Sequence, residues 1–266
     1  MRKITVFDII NLTPKNNCGK CGYTTCMAFA VALLTGRVNA RSCPFIKLDE
    51  LKDIGIDLNG IKGSHLDPNT ALLKELKSKI LNINLEKKAK DLGAEIIKED
   101  GQIRLRLFYL GKKVIISNKS IIREDSKELD PRDQILLYNY VYFGGSGELS
   151  GEWVGLESFP NSISKVNTIK RYTEDKLAQH FGEDVEELYK RSISLMAKKI
   201  KNCHADLCLQ IPVLPKIPIQ LHFWKSEPEE GFAAQAKVLF DKYAINFLDL
   251  ESLVFTAERM AEELIG

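Results

Sequence analysis

The stretch LTPKNNCGKCGYTTCMAFA, residues 12–30, contains three cysteines, and a fourth cysteine followed by proline comes later in the chain. The four are spaced C-x2-C-x4-C-x16-C, and they are Cys18, Cys21, Cys26 and Cys43. Gly19 and Gly22 lie among them, and glycine lets a backbone turn tightly and direct its N–H groups at inorganic sulfide. The pattern predicts that the four thiolates hold one 4Fe-4S cluster.

Zinc is the main competing metal, because four cysteines also bind it tetrahedrally, usually as two C-x2-4-C pairs. Only one such pair, Cys18 and Cys21, is present here. A 2Fe-2S cluster and a set of disulfides also stay open, although plant-type 2Fe-2S proteins place the x4 spacing before the x2 spacing. The order of the spacings and Pro44 after the last cysteine favour the 4Fe-4S cluster.

The charge around the cysteines suits a negatively charged cluster. Cys26 is predicted in the first turn of a helix that Thr24 or Thr25 caps, so the positive helix end would face the cluster and raise its potential. Residues 1–60 carry eight Lys or Arg against five Asp or Glu. The basic residues that flank the ligands are Lys15, Lys20, Arg37 and Arg41. They either compensate the charge of the cluster or form a docking face for an acidic redox partner.

The length of 266 residues, with 44% hydrophobic and 28% charged, allows two folded units. We expect a small helical cluster module at 1–55, a glycine-rich linker at 56–69, and a larger α+β domain with antiparallel strands at 70–266. In the module, a short amphipathic helix precedes the cysteine loop, and a helix over 25–35 follows it. The predicted packing face of that second helix is Met27, Ala30, Leu33 and Leu34.

Hydrophobic periodicity places the elements of the second unit. The predicted helices are 70–92 with a break near 82–84, a segment from Asp130-Pro131 to Gly144, and then 174–181, 185–199 and 250–265. The predicted strands are 94–98, 102–109 and 113–117, which form a meander, and then 207–211, 218–224 and 234–240, of which the last two pair.

Composition also limits the location and the partners. The N-terminal stretch 5–12 is broken by Asp8 and Asn11, and the longest apolar run, 26–34, is far below the roughly 18 residues of a membrane span. We therefore expect a cytoplasmic protein without a membrane partner. A net charge of +2 gives no strong field for nucleic acid, so no nucleic-acid partner is expected.

A glycine-rich run, residues 143–153, is the main candidate site of the second unit. It lacks the Gly-Lys-Ser/Thr of a phosphate-binding loop, and it follows a helix where a dinucleotide fingerprint needs a strand. It is either a helix end with a turn or a ligand-binding loop with a stacking indole. The ligand-binding residues would be Gly144, Gly145, Gly147 and Trp153.

The remaining polar side chains give weaker signals. Cys203 and Cys208 flank His204 and Asp206, which allows a metal or redox pair, although a buried free Cys208 is the simpler interpretation. His65, His180 and His222 are isolated and are interpreted as surface or internally bonded histidines. Three glutamates lie in or just after the glycine-rich run, but no histidine or serine nucleophile stands at a diagnostic spacing from them. No catalytic residue is therefore predicted, and enzymatic activity stays open. Those glutamates are Glu148, Glu152 and Glu157.

The segment from Leu12 to Ala30, with Cys43-Pro44, resembles the small 4Fe-4S domain of the corrinoid iron-sulfur protein large subunit and the cluster segment of the Rnf electron-transport complex. The resemblance covers about 45 residues and implies that the four cysteines are the ligands of a cluster that relays low-potential electrons. The D-x-H-x-x-G corrinoid-ligand motif is absent from the sequence, so corrinoid binding does not carry over. Segments 149–160, 211–224 and 231–251 look like an uncharacterised domain-of-unknown-function family found in anaerobes.

We therefore expect an iron-sulfur protein that passes low-potential electrons to a partner protein or a corrinoid protein, in corrinoid or methyl-transfer metabolism. The alternative is a non-catalytic ligand-binding or assembly protein whose cluster is structural or senses redox state.

Overall fold

The computed structural model describes residues 6–23, 25–34, 36–53, 68–99, 101–125, 127 and 129–266. The chain divides into two compact units, 1–71 and 72–266. Most of the predicted linker, 56–69, lies outside the described residues, and this part includes His65; only Pro68 and Asn69 are described. The α+β class is confirmed, because a small helical unit is followed by a larger one with helices and antiparallel sheets.

The first unit is built around its second helix. Its helices are α1 (Val6–Ile10), α2 (Cys26–Leu34) and α3 (Leu48–Asp53). Ile9, Phe29 and Leu33 are fully or almost fully buried, so α1 and α2 pack through apolar side chains. The predicted packing face of α2 is correct for Ala30 and Leu33 but wrong for Met27, which is 44% exposed.

Seven α-helices follow α3 in the described part of the chain, and the first of them begins in the first unit and continues into the second. They are α4 (Pro68–Ile80), α5 (Leu85–Lys88), α6 (Pro131–Phe143), α7 (Ile163–Ile169), α8 (Asp175–Phe181), α9 (Val185–Ile193) and α10 (Leu250–Ile265). The predicted break near 82–84 separates α4 from α5, where Asn84 caps α5 by accepting a hydrogen bond from the Lys87 N–H. Among the described residues, no helix is long and apolar enough to cross a membrane.

Two antiparallel sheets complete the second unit. Their strands are β1 (Glu95–Glu99), β2 (Gln102–Tyr109), β3 (Lys112–Ile116), β4 (Ile121–Arg123), β5 (Trp153–Val154), β6 (Lys198–Lys199), β7 (Leu207–Leu214), β8 (Ile217–Trp224) and β9 (Gln235–Asp241). The first sheet has the order β1-β2-β3-β4 and the second has the order β5-β9-β8-β7-β6. The predicted meander and the pairing of β8 with β9 are confirmed.

Both sheets contribute to one hydrophobic core. The Leu110 N–H donates to the Val213 carbonyl at 3.0 Å and so connects the loop after β2 with β7. Buried Leu107 and Val114 from the first sheet and Leu221 and Phe240 from the second belong to this core. Their burial is the main favourable term in the stability of the unit.

A buried ion pair joins two helices across this core. Asp133 on α6 and Arg259 on α10 are 6% and 8% exposed, with Oδ1–Nε and Oδ2–Nη2 distances of 2.7 and 3.0 Å. The Tyr109 hydroxyl on β2 donates to Asp133 Oδ1 at 2.7 Å. Burial and the nearby Asp133 charge raise the pKa of Tyr109 well above its ordinary value, so the phenol stays protonated and remains a donor. The network ties β2, α6 and α10 together.

The sequence prediction is wrong between α7 and β6. The predicted helix over 185–199 ends at Ile193, because Met196 adopts a left-handed φ of 60° and residues 198–199 form β6. The segment 163–173, which forms α7 and most of the π-helical turn after it, was not predicted as helix. Ile163 is 88% exposed and only Ile169 of α7 is a buried residue, so this stretch has little apolar periodicity to detect.

Candidate functional site

The four motif cysteines differ in their exposure. Cys18 is exposed, Cys21 and Cys26 are half-buried, and Cys43 is buried in the apolar core of the first unit. None of the four is in a disulfide. Within the described ranges, no three Cys, His, Asp or Glu side chains come together as a metal site, so the structure does not itself close the four thiols into a ligand set.

The backbone that carries Cys18 and Cys21 turns through left-handed conformations. Gly19 and Gly22 have φ of 71° and 85°, and the Gly22 N–H donates to the Gly19 carbonyl at 2.9 Å. A Cβ at either glycine would meet nothing within 4 Å, so space does not require glycine here. The positive φ does, because L-residues with side chains rarely adopt it.

Cys26 stands at the N-terminus of α2. The Thr25 hydroxyl accepts a hydrogen bond from the Ala28 N–H at 3.0 Å, so Thr25 is the cap that the sequence predicts. Thr24 lies outside the described residues. The Asn17 side chain accepts from the Cys26 N–H at 2.8 Å and thereby connects the start of the cysteine loop to the helix.

The fourth cysteine follows a short 3-10 turn. Asn39 caps this turn by accepting from the Arg41 N–H at 2.8 Å, and the Cys43 N–H donates to the Ala40 carbonyl at 3.2 Å. The Lys47 N–H then bonds the Leu12 carbonyl at 3.2 Å, which brings the end of the motif back to its start. This bond closes the segment 12–47, which carries all four motif cysteines.

These residues fit an iron-sulfur cluster. Their donor set is four thiols, the soft ligands that iron-sulfur clusters use. The left-handed glycines leave open space where a side chain would otherwise project. The capped helix at Cys26 gives the site a positive partial charge that stabilises an anionic group.

The surface of the first unit combines cations with exposed apolar groups. The exposed fractions of Met27, Val31 and Phe45 are 44%, 41% and 46%. Lys15, Lys20, Arg37 and Arg41 are all exposed. The Lys20 ammonium lies 5.2 Å from the centre of the Phe45 ring, so cationic and aromatic groups adjoin within the cysteine motif.

The glycine-rich loop of the second unit is tied to the protein on several sides. The Gly144 N–H donates to the Tyr140 carbonyl at 2.9 Å and ends α6, and the Gly144 carbonyl accepts from Lys88 Nζ at 2.5 Å. Lys216 Nζ lies 3.4 Å from the Gly147 carbonyl oxygen. Trp153 begins β5 and is half-buried. A ligand-binding role for these residues stays a prediction.

Asp241 anchors this loop, and sequence analysis missed it. Asp241 is 1% exposed, and its carboxylate accepts from the N–H groups of Ser150, Gly151 and Tyr243 at 3.0, 2.8 and 2.9 Å. The Ser150 hydroxyl also donates to it at 3.0 Å. Burial by itself would raise the pKa of Asp241, but these hydrogen bonds outweigh burial and lower the pKa below its ordinary value of 3.8.

Replacement of this carboxylate by an amide should destabilise the loop. Asp241→Asn places an N–H2 donor opposite backbone donors, and we expect the unfolding free energy at pH 7 to fall by about 1–3 kcal/mol. Because the folded pKa is lowered, the carboxylate stabilises the wild type above pH 3.8, and this contribution disappears as the pH falls through the folded pKa. Urea unfolding should therefore show the variant's deficit shrinking below pH 4. Glu148→Gln, at an exposed glutamate, is the control. A loss of unfolding free energy in Asp241→Asn that does not change with pH would contradict the role of Asp241 as a buried carboxylate anchor.

Gly145 occupies a place where no side chain fits. A Cβ there would lie 1.9 Å from the Asn246 carbonyl oxygen and 2.7 Å from its carbon. We expect Gly145→Ala to lower the unfolding free energy by about 1–3 kcal/mol, because backbone must move to admit the methyl group. Urea unfolding of this variant beside Ser146→Ala, at an exposed neighbour, tests the expectation. Equal stability of the two variants would show that the loop is not held against Asn246.

The two cysteines of the second unit form a disulfide between Cys203 and Cys208. The prediction that Cys208 is buried is correct, because it is only 2% exposed, but the prediction that it is a free thiol is wrong. The described histidines have separate partners: the His222 Nε2 lies 3.1 Å from Gln220 Oε1, and His180 lies edge-on to the Phe181 ring. The glutamates Glu148, Glu152 and Glu157 pair with lysines, namely Lys216, Lys242 and Lys237.

Comparison with known proteins identifies the first unit. Residues 14–45, which include all four motif cysteines, match a family model described as "Putative Fe-S cluster". The prediction of an iron-sulfur module is confirmed at this level, and the type of cluster stays a prediction.

Curated proteins match the chain only over a short segment of about 45 residues. The chain is 49% identical over 45 residues to the acetyl-CoA decarbonylase/synthase complex subunit gamma of Methanocaldococcus jannaschii, which is 17% of this chain and 9% of that protein. It is 44% identical over 43 residues to the corrinoid/iron-sulfur protein large subunit of Moorella thermoacetica, which is 16% of this chain and 10% of that protein. The predicted resemblance to the corrinoid iron-sulfur protein large subunit is confirmed, but the chain spans only about a tenth of the length of these relatives. No solved structure matches the chain.

Most of the second unit matches a second family model. This model is described as "Domain of unknown function (DUF3786)", and it covers residues 84–263. That range is more than half of the 266 residues and includes both sheets and most of α10. The chain therefore belongs to the DUF3786 family and carries an iron-sulfur module ahead of the family domain.

Proposed function

We propose that Cys18, Cys21, Cys26 and Cys43 bind a 4Fe-4S cluster and that the protein delivers low-potential electrons, one at a time, to a partner. The observation that carries the proposal is the agreement between the C-x2-C-x4-C-x16-C spacing and the local structure. Left-handed turns follow Cys18 and Cys21, a capped helix begins at Cys26, and Cys43 follows a capped turn. When bound, the cluster would supply reversible one-electron transfer.

The residues around the ligands would favour the reduced, more negative state. Thr25 caps α2, so the positive end of this helix stands at Cys26. Asn17 already accepts from the Cys26 N–H, so this donor is engaged by the protein. The exposed cations Lys15, Lys20, Arg37 and Arg41 add further positive charge.

The partner proposed from these features is an acidic redox protein or a corrinoid protein. The names of the relatives place them in an acetyl-CoA decarbonylase/synthase complex and in a corrinoid/iron-sulfur protein. The exposed Met27, Val31 and Phe45 and the four exposed cations would supply the apolar and basic groups of a docking face, and Lys20 lies over the Phe45 ring. The setting would be cytoplasmic and anaerobic, in corrinoid or methyl-transfer metabolism.

The DUF3786 domain, 70–266 in the proposed division, would bind the protein or ligand that receives the electrons. Within it, Gly144, Gly145, Gly147 and Trp153 are the proposed ligand-binding residues. Asp241 would hold their loop in place through its bonds to Ser150 and Gly151.

A second candidate function is a structural or redox-sensing cluster. Cys43 lies within the small apolar core of the first unit, which also contains Ala40 and Ile46. A core of this size gives little stability by itself, so a bound cluster could be what holds the unit folded.

Potentiometric titration of the loaded protein, followed by visible absorbance and circular dichroism, separates the two functions. An electron carrier should be reduced and reoxidised repeatedly at low potential with an unchanged circular dichroism spectrum. A structural cluster should show no redox transition in the accessible range, and its removal should unfold the first unit.

A further inference from the structure

The Cys203–Cys208 disulfide lies beside a histidine on one face of the second sheet. Cys208 on β7 is paired directly with His222 on β8, and His222 is paired with Lys237 on β9. Residues directly opposite in an antiparallel sheet point to the same face with Cβ atoms about 4.5–5.5 Å apart. Lys237, His222 and Cys208 therefore form one row across the sheet, and the disulfide continues that row to Cys203.

The two sulfurs differ in their access to solvent. Cys208 is 2% exposed, whereas Cys203 is half-buried in the loop that precedes β7. A thiol from outside can therefore reach Cys203 and not Cys208. Such an unequal pair, one accessible sulfur and one internal sulfur, suits thiol-disulfide exchange.

Contacts other than the disulfide hold the loop closed. The Trp224 indole N–H donates to the His204 carbonyl at 3.2 Å, and the Lys225 N–H donates to Asp206 Oδ2 at 3.0 Å. The Cys203 and Cys208 Cα atoms are 6.2 Å apart, within the range that a disulfide spans. Because β8 fixes this loop through both bonds, the two thiols would stay adjacent after reduction. Because the loop is short, the disulfide constrains the unfolded chain less than a disulfide that closes a long loop, and this constraint is its usual structural benefit.

We propose that Cys203 and Cys208 form a two-electron redox site that exchanges its disulfide with an external dithiol. A thiolate of the dithiol attacks Cys203 Sγ, the Cys203–Cys208 bond breaks, and Cys208 leaves as a thiolate. The second thiol of the reductant then attacks the mixed disulfide, releases Cys203 as a thiolate and leaves the reductant oxidised to a disulfide. Two electrons and two protons pass from the dithiol to the protein.

His222 is the proton donor to the buried Cys208 thiolate. A thiolate in an apolar place is costly, so a nearby acid should speed its departure. The groups that face His222 are Cys208 from β7, Lys237 from β9, and Gln220 and Trp224 on its own strand. Lys237 is itself engaged by the carboxylates of Glu157 and Glu174 at 3.3 and 3.6 Å.

The test equilibrates the full-length protein anaerobically with mixtures of reduced and oxidised dithiothreitol, alkylates the thiols and reads each cysteine by peptide mass spectrometry. This readout separates Cys203 and Cys208 from the four cysteines of the first unit and does not depend on cluster content. We expect one reversible two-electron transition with the second unit still folded. We also expect alkylation at Cys203 to be about tenfold or more faster than at Cys208.

The histidine is tested by the rate of reduction. His222→Gln should slow reduction by dithiothreitol about tenfold or more, because it removes the acid. Burial lowers the pKa of His222 below its ordinary value, so the assistance in the wild type should fade as the pH rises through that lowered pKa, and the variant should not show this loss. His180→Gln, at an exposed histidine, should leave the rate unchanged. A disulfide that is reduced only when the second unit unfolds, or cysteines that are always found as thiols, would overturn the redox site. An unchanged rate in His222→Gln would overturn the role of the histidine.

Discussion

Cys43→Ser should abolish loading of the iron-sulfur module. Cys43 is the buried member of the four cysteines, and a serine hydroxyl is a harder and much weaker ligand to the iron of a cluster than a thiolate. We expect bound iron to fall from about four atoms to below one per chain after anaerobic reconstitution. The first unit should also lose helical circular dichroism, because its small core then lacks the stabilisation of a bound cluster. Iron and sulfide analysis with circular dichroism measures both effects.

Two variants control for this result. Ser42→Ala alters the exposed residue next to Cys43 and should leave iron unchanged. Cys203→Ser removes a cysteine outside the motif and should also load fully. Iron at the wild-type level in Cys43→Ser would remove this residue from the ligand set.

Breaking the buried ion pair should have the largest effect on the stability of the second unit. Asp133→Ala leaves the Arg259 guanidinium, which is 8% exposed, and the Tyr109 hydroxyl without their shared partner. Arg259 keeps its ion pairs with the half-buried Glu262 and Glu263 but loses its buried partner, and breaking a buried pair is strongly unfavourable, so we expect the unfolding free energy to fall by about 3 kcal/mol. Urea unfolding, followed by tryptophan fluorescence from Trp153 and Trp224, measures the change.

A matched control separates burial from charge. Glu152→Ala breaks an exposed pair, with Glu152 and Lys242 side chains that are 66% and 53% exposed, and should change the unfolding free energy by about 0–1 kcal/mol. The double variant Asp133→Leu with Arg259→Met removes both charges and should recover most of the lost stability. Equal losses in Asp133→Ala and Glu152→Ala would show that the buried network does not hold the unit together.

Elements with strong local signals were predictable from the sequence. The last helix was predicted to the residue, because Asp249 caps it and its apolar residues repeat at helical spacing up to Leu264. The start of α6 at Asp130-Pro131 is another local signal, with the Asp130 carboxylate accepting from the Arg132 N–H at 2.8 Å. The iron-sulfur module was predictable because the spacing of its four cysteines can be read directly from the sequence.

Features that depend on distant partners were not predictable. Strand β5 has two residues and exists only because Trp153 and Val154 pair with β9, nearly 90 positions later. Asp241 holds Ser150 and Gly151 across a similar separation, so neither stretch of sequence reveals the bond by itself. The pairing of Cys203 with Cys208 depends on a loop that Trp224 and Lys225 hold in shape. Short strands and side-chain anchors of this kind come from tertiary structure, which periodicity does not report.

The most direct test of the central claim is anaerobic electron paramagnetic resonance of the purified protein, as isolated and after dithionite, with iron and sulfide analysis. The proposed function predicts about four irons and four sulfides per chain and a reduced spin-half signal that is altered or lost in Cys21→Ser. Zinc in place of iron, or a protein without metal and without a signal, would contradict electron transfer by this module.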